Sequence, residues 1–269
     1  MILCPENRPQ PDITGWVSAW DAVSRAQRTH ARKYRLVRQP DHARLSGELA
    51  QHFSFEGMPT IREEIVQGIS LHDEGWKQFD GGDERLAATP SQYSPDGIPM
   101  NDEGKPLSFE EIKAGDFLKA WRGSIESAEA IAPIAGLIVS GHFCRLGRFG
   151  VQSGRHSQFD VELICDFLRL EAMRRERLSE RSKYSVTEIE YWTDVLQFCD
   201  LLSLYLCCGS RQNVEFRQHL TKGGETIRLR VEDGGYVSSP ALLPDEIKFG
   251  SPAVEFPKNR AVQLSWVLR

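Results

Sequence analysis

Val195-Leu-Gln-Phe-Cys-Asp-Leu-Leu-Ser-Leu-Tyr-Leu-Cys-Cys208 is apolar on nearly every side of a helical wheel, with Asp200 in its middle. A helix that lacks a polar face belongs at the centre of a core. The stretch therefore predicts a helix from about Ser185 to Cys208, around which the rest of the chain gathers. Asp200 is the anomaly in it. A buried carboxylate is costly unless it is protonated, paired or bound to a cation. Asp200 thus reads as a cation ligand, or else as half of a buried Asp–Arg pair or a hydrogen-bonded helix contact.

Moving upstream, residues 157 to 181 predict a helix whose second half mixes Arg174, Arg175, Glu176, Arg177, Glu180 and Arg181. Alternating signs make that a solvated face and not a nucleic-acid patch. Ile131 to Val139 is almost wholly apolar and runs into Ser140-Gly-His142. A histidine at the end of so buried a segment must hydrogen-bond or coordinate something. Arg145, Arg148 and Arg155 follow, interleaved with Gly147, Gly150 and Gly154. Read as a loop near a metal, this stretch would hold phosphate through guanidinium and backbone N–H groups.

Ser108-Phe-Glu-Glu111 is a capping box that opens a helix through Phe117, Trp121, Ile125 and Ala128. Residues 81 to 107 form a long Gly-, Pro-, Asp- and Ser-rich connection, either a lid or an insertion without a role. Before it, Pro59 opens a helix with Ile61, Ile65, Val66 and Ile69 on one face, which continues into His72-Asp73. Neighbouring helical residues diverge by about 100°, so the doublet shares one ion only if the ion lies over the wedge between the two side chains. Asp80 either orients a ligand from behind or ends this helix.

Tyr34 to Gln39 alternates like a short strand, and Pro40-Asp41 stops it. Asp41 then caps a helix through Phe53, which puts His42 in the first turn, as a ligand or in a capping or packing contact. His52 falls near the surface end of that helix. Residues 12 to 32 predict a short amphipathic helix carrying Trp16, Trp20 and Val23, with His30 at its solvated end. Residues 1 to 11, with three prolines, read as an arm. From Gly209 the period changes to two: Val214 to Leu220 and Glu225 to Val231 form a hairpin, more short strands follow to Val267, and His219 is exposed.

Composition narrows the classes. The 269 residues carry a formal charge of −5, so no global field favours nucleic acid or anionic membranes. The start, Met-Ile-Leu-Cys-Pro-Glu, has no leader pattern and no apolar run reaches membrane-spanning length, which predicts a cytoplasmic protein. The six cysteines lack Cys-x-x-Cys spacing and read as reduced core thiols, with Cys207-Cys208 the alternative thiolate or redox pair. Neither a Gly-x-x-x-x-Gly-Lys loop nor a Gly-x-Ser-x-Gly elbow is present.

The order His42, His72-Asp73, His142, Asp200 on helical segments resembles the HD superfamily of metal-dependent phosphohydrolases. Gln39-Pro-Asp-His-Ala-Arg-Leu-Ser-Gly-Glu-Leu-Ala50, His72-Asp-Glu-Gly-Trp-Lys-Gln-Phe-Asp80, Gly136-Leu-Ile-Val-Ser-Gly-His142 and Asp200-Leu-Leu-Ser-Leu-Tyr-Leu-Cys207 also resemble a bacterial family known only as domain of unknown function 3891. These resemblances imply a mainly α fold. It would consist of an N-terminal extension (1–33), an HD-like helical bundle (34–208) and a small C-terminal antiparallel β appendage (209–269). His42, His72, Asp73 and Asp200 would ligate a divalent ion, Mn, Fe, Co, Ni or Zn in preference to Ca, and His142 would hold a second ion bridged by Asp73 or contact substrate. Metal-bound water would attack the phosphorus of a small phosphorylated substrate, with Asp73 and Glu74 as catalytic groups and Arg145 or Arg148 steadying charge. Two rivals share the scaffold: a non-haem di-iron oxygenase, and a non-catalytic protein that keeps the cluster as a polar core network.

Overall fold

A computed structural model describes residues 1–6, 15–54, 57–80, 92–93, 98–218, 220, 223–232 and 234–269. The expectations for His219, for the arm beyond residue 6 and for most of the 81–97 connection lie outside these residues. The elements in chain order are β1 (Ile2–Pro5), β2 (Val17–Ser18), α1 (Ala19–Arg28), β3 (Tyr34–Val37), α2 (Gln39–His52), α3 (Glu63–Ser70), β4 (Gln92–Tyr93) and β5 (Pro99–Met100). Then come α4 (Ala114–Ile131), α5 (Pro133–Gln152), α6 (Gln158–Glu180), α7 (Val186–Cys207), β6 (Val214–Phe216), β7 (Ile227–Glu232), β8 (Gly235–Ser239), β9 (Ile247–Phe256) and β10 (Arg260–Leu268).

Helix α7 is the axis that its apolar sequence predicts. It packs against α1, α2 and α5, and its side chains from Val195 to Cys207 are mostly buried. Ser185 and Glu188 form a reciprocal capping box that fixes where it starts. Helix α5, apolar along most of its length, is gripped by α3, α4, α6 and α7. No helix among the described residues is long and apolar enough to cross a membrane.

The expected helical bundle with a small C-terminal β appendage is overturned. Eight strands form one mixed sheet in the order β1-β3-β9-β10-β8-β7-β6-β2. The β6–β7 hairpin forms as expected, with Val214 opposite Leu229. The N-terminal segment then completes the sheet: β1 pairs with β3, β3 pairs antiparallel with β9, and β2 lies parallel to β6. Strand β3 shows its alternation in Tyr34–Gln39, but β1 and β2, of four and two residues, are too short to show a period, and local patterning names no partner for any of the three. Ile2 and Leu3 are fully buried where an arm was expected. One continuous core joins Leu45, Leu49 and Phe198 of the helices to Phe216, Leu229 and Phe249 of the sheet.

Several boundaries also move. The capping box at Ser108 closes a separate 3-10 turn, Phe109–Glu111, and α4 begins only at Ala114. Helix α3 starts at Glu63 and not at Pro59. The Arg- and Gly-bearing stretch read as a loop is helical as far as Gln152, so its backbone N–H groups up to that point are spent within α5. At α2 the cap comes from a distance: the Asp80 carboxylate accepts the Gln39 N–H at 2.6 Å, whereas Asp41 pairs with Arg44. Among the described residues, which include all six cysteines, there is no disulfide.

Candidate metal centre

Four elements deliver five side chains to one buried point. His42 comes from the first turn of α2, His142 from α5 and Asp200 from α7. His72 and Asp73 lie just past α3, where the chain leaves the helix at Leu71 and enters a 3-10 turn, Glu74–Gln78. The wedge restriction therefore does not apply, because the doublet is not helical. Gly75 makes this turn fit, since a Cβ there would stand 2.0 Å from the Ala120 carbonyl oxygen of α4. Its N–H instead donates to Ser124 Oγ at 3.0 Å.

The ligand atoms form two overlapping triads, His42 with His72 and Asp73, and His72 with His142 and Asp200, which share His72. His42 Nε2 lies 2.8 Å from Asp73 Oδ2 and 3.9 Å from Asp200 Oδ1. His72 Nε2 lies 3.8 Å from Asp73 Oδ2 and 3.4 Å from Asp200 Oδ1. With bonds of about 2.1 Å, ligand atoms around one ion stand about 3.4 Å apart in a tetrahedral set and about 3.0 Å apart in an octahedral one. These four edges straddle both values. His142 Nε2 sits 3.6 Å from the other Asp200 oxygen, Oδ2, so Asp200 and not Asp73 is the carboxylate beside His142.

The hydrogen bonds behind the ligands also suit a cation. His72 Nδ1–H donates to the Ile69 carbonyl at 2.7 Å, which leaves Nε2 bare, buried and without a hydrogen-bond partner. His42 Nδ1 meets Ser203 Oγ at 2.8 Å, with Ser46 Oγ a further 2.8 Å behind it. With the imidazoles neutral, as metal ligation requires, the three histidines and two carboxylates would carry a charge of about −2, which a divalent ion would balance. The electrostatics show the same demand. Burial alone would lower the His72 pKa, but the Asp73 and Asp200 carboxylates overcome it and raise it to about 9. Burial would raise Asp200, yet the facing His72 imidazole holds it down at about 2. His142 goes the other way, pushed down to about 4 by burial that the Asp200 charge only partly offsets.

The centre opens on one side. His142 and Asp200 form part of the wall of a cleft of about 850 Å³ that is also lined by Trp20, Arg25, Phe149, Arg155, Arg217 and Gln218. Asp200 keeps 15% of its side chain exposed, while His42 and His72 are sealed. Of the arginines singled out from the sequence, Arg155 lines this cleft. Arg145 and Arg148 do not. Arg145 binds Glu190, Asp194 and Gln197 on α7, and Arg148 is exposed. Arg145→Ala is therefore expected to cost about 1–2 kcal/mol of stability, a charge-assisted network at a partly open site, and to leave ligand binding in the cleft unchanged. Urea midpoints and binding isotherms read the two effects separately. Glu74, the other catalytic candidate, is ion-paired with Lys77 and does not line the cleft.

Sequence reading did not anticipate Ser46, Ser203, the Ile69 carbonyl or the cleft arginines 25, 28 and 217. A signal existed for the serines. Ser46 follows His42 by one helical turn, Ser203 follows Asp200 by nearly one, and both are hydroxyls on faces otherwise apolar. No signal marked the arginines, because their proximity depends on the sheet.

No curated protein and no solved structure matches the chain. A family model does, over residues 27–241, which takes in all five converging residues together with both serines. The chain therefore belongs to the family described as Protein of unknown function (DUF3891).

Proposed function

We propose that this protein is a divalent-metal-dependent phosphohydrolase acting on a small phosphorylated molecule, as its resemblance to the HD superfamily implies. One observation carries the reading: a two-carboxylate, multi-histidine set with ion-sized spacings that opens, through Asp200 and His142, onto a cleft with arginines in its wall. His42, His72 and Asp73 form one ligand triad and Asp200 joins His72 and His142 in the other; of these, His42, His72, Asp73 and Asp200 are the ligands the resemblance implies, and the mixed imidazole and carboxylate set favours Mn, Fe, Co, Ni or Zn over Ca. Once bound, such an ion supplies Lewis acidity and an activated water. The chain does the rest. Arg25, Arg155 and Arg217 attract and orient the phosphate, His142 meets the substrate from the cleft wall, and the buried walls keep bulk water from the ligand atoms.

The test is phosphate release from a panel of small organic phosphates, using protein stripped with chelator and then reloaded with each of the five metals. Release is expected only after reloading. Arg155→Ala is expected to raise KM about 10–100-fold, the worth of one charge-assisted hydrogen bond to the substrate. Fully loaded protein that releases no phosphate from any member of the panel would refute the proposal.

A further inference from the structure

We infer that Ser203 is a positioning residue of the centre: its hydroxyl decides which nitrogen of His42 faces the ion and locks the helix bearing His42 in register with the helix bearing Asp200. This rests on the metal reading above.

Ser203 Oγ has three polar neighbours at 2.8 Å: His42 Nδ1, Ser46 Oγ and the Asp200 carbonyl oxygen. A hydroxyl has one proton and two lone pairs to offer. The carbonyl can only accept, so it takes the proton. The lone pairs that remain face Ser46 and His42 Nδ1. Nε2 lies 2.8 Å from Asp73 Oδ2; with an ion bound on that side its lone pair must turn to the metal, so the ring's one proton sits on Nδ1 and is donated to Ser203 Oγ. Ligating histidines commonly donate their second ring N–H in this way, which fixes both tautomer and ring orientation.

The arrangement separates the three histidines. His72 is tethered by the Ile69 carbonyl and His42 by Ser203, but His142 Nδ1 is buried without a hydrogen-bond partner. The two tethered rings are the sealed ones, and the untethered ring lines the cleft. Ser203 also acts along its own helix. The hydroxyl that holds His42 of α2 bonds back to the carbonyl of Asp200 on α7, so two ligands from opposite helices share one anchor. Ser46 backs it, with its own oxygen 3.0 Å from the His42 carbonyl. A serine that merely filled space would be fully buried as well, but it would not place one hydroxyl 2.8 Å from a ligand imidazole, a second serine and the carbonyl of Asp200.

The experiment measures zinc and manganese affinity by competition with a chromophoric chelator. It uses the full chain, native and as Ser203→Ala, Ser203→Thr and Ser203→Cys, and adds nitrogen-15 spectra of the histidine rings in zinc-loaded protein. Ser203→Ala is expected to weaken binding about 10–100-fold. It should also remove the slowly exchanging Nδ1–H signal of His42 while that of His72 stays. Ser203→Thr, which keeps the hydroxyl, should return affinity close to the native value. Should the alanine or threonine variant fail to fold, Ser203→Cys, similar in size but a weak acceptor, should show the loss. Native and alanine proteins of equal affinity would overturn the role of Ser203 alone. Native protein that binds neither metal would overturn the metal reading and this inference with it.

Discussion

Asp200→Ala, purified without chelator, should retain almost none of the metal that the native protein carries, with an affinity loss of more than about 100-fold. Losing only a group behind a ligand costs about 10–100-fold, and Asp200 is itself a ligand candidate that touches the set with both oxygens. Its Oδ1 faces His42 and His72 and its Oδ2 faces His142, so no neighbour replaces it. The same loss can be read as stability. An ion at a thousand times its Kd stabilises the native state by about 4 kcal/mol, and a 100-fold weaker site at the same concentration by only about 1.4 kcal/mol. Adding metal to chelated protein should therefore raise the melting temperature clearly in the native chain and weakly in the variant. Asp200→Asn, which preserves size but not charge, should resemble alanine in both measurements. Metal at native stoichiometry in Asp200→Ala would remove Asp200 from the centre.

The site was more legible in the sequence than the fold, for a physical reason. A ligand candidate such as Asp200 announces itself by breaking a local rule, a carboxylate inside a helix that is otherwise apolar, and that contradiction is visible in a window of a dozen residues. His142, at the end of an equally apolar run, breaks the same rule. The sheet offers no such contradiction. Ile2-Leu-Cys-Pro5 pairs with Tyr34–Val37, and Tyr34–Leu36 pairs with Val254–Phe256 more than two hundred residues away. Tyr34–Val37 shows its alternation, but Ile2–Pro5 has no period to read, and the partner of either is chosen by the packing of the whole chain. The arginines suffer likewise: Arg145 looked like a phosphate-binding group because the glycines near it suggested a loop, but Gly147 lies within α5 and lets α6 approach. Gly147 sits against Ile164 and Leu168 of α6.

Gly75→Ala should be disruptive out of proportion to the single methyl it adds beside the candidate centre. The added Cβ would lie 2.0 Å from the Ala120 carbonyl oxygen and 2.8 Å from the Ser124 nitrogen, both backbone atoms of α4. No rotamer change relieves a clash with backbone, so the Glu74–Gln78 turn must retreat by more than about 1 Å to regain van der Waals separation. That retreat breaks the bond from Gly75 N–H to Ser124 Oγ. It also carries along His72 and Asp73, immediately upstream, whereas a functional set tolerates displacements of only about 0.5 Å. Overpacking of this kind costs about 3 kcal/mol or more, which in a chain of this size lowers the melting temperature by roughly 6–12 °C. Gly115→Ala on α4 is the control, because nothing lies within 4 Å of its Cβ position and alanine favours a helix. It should be neutral or slightly stabilising and leave metal content intact. Gly75→Ala should lose stability and metal together even though it removes no ligand. Stability lost with metal content unchanged would show that the doublet is held from elsewhere, by the Ile69 carbonyl on His72 and by His42 on Asp73, and that its approach to α4 serves the fold alone.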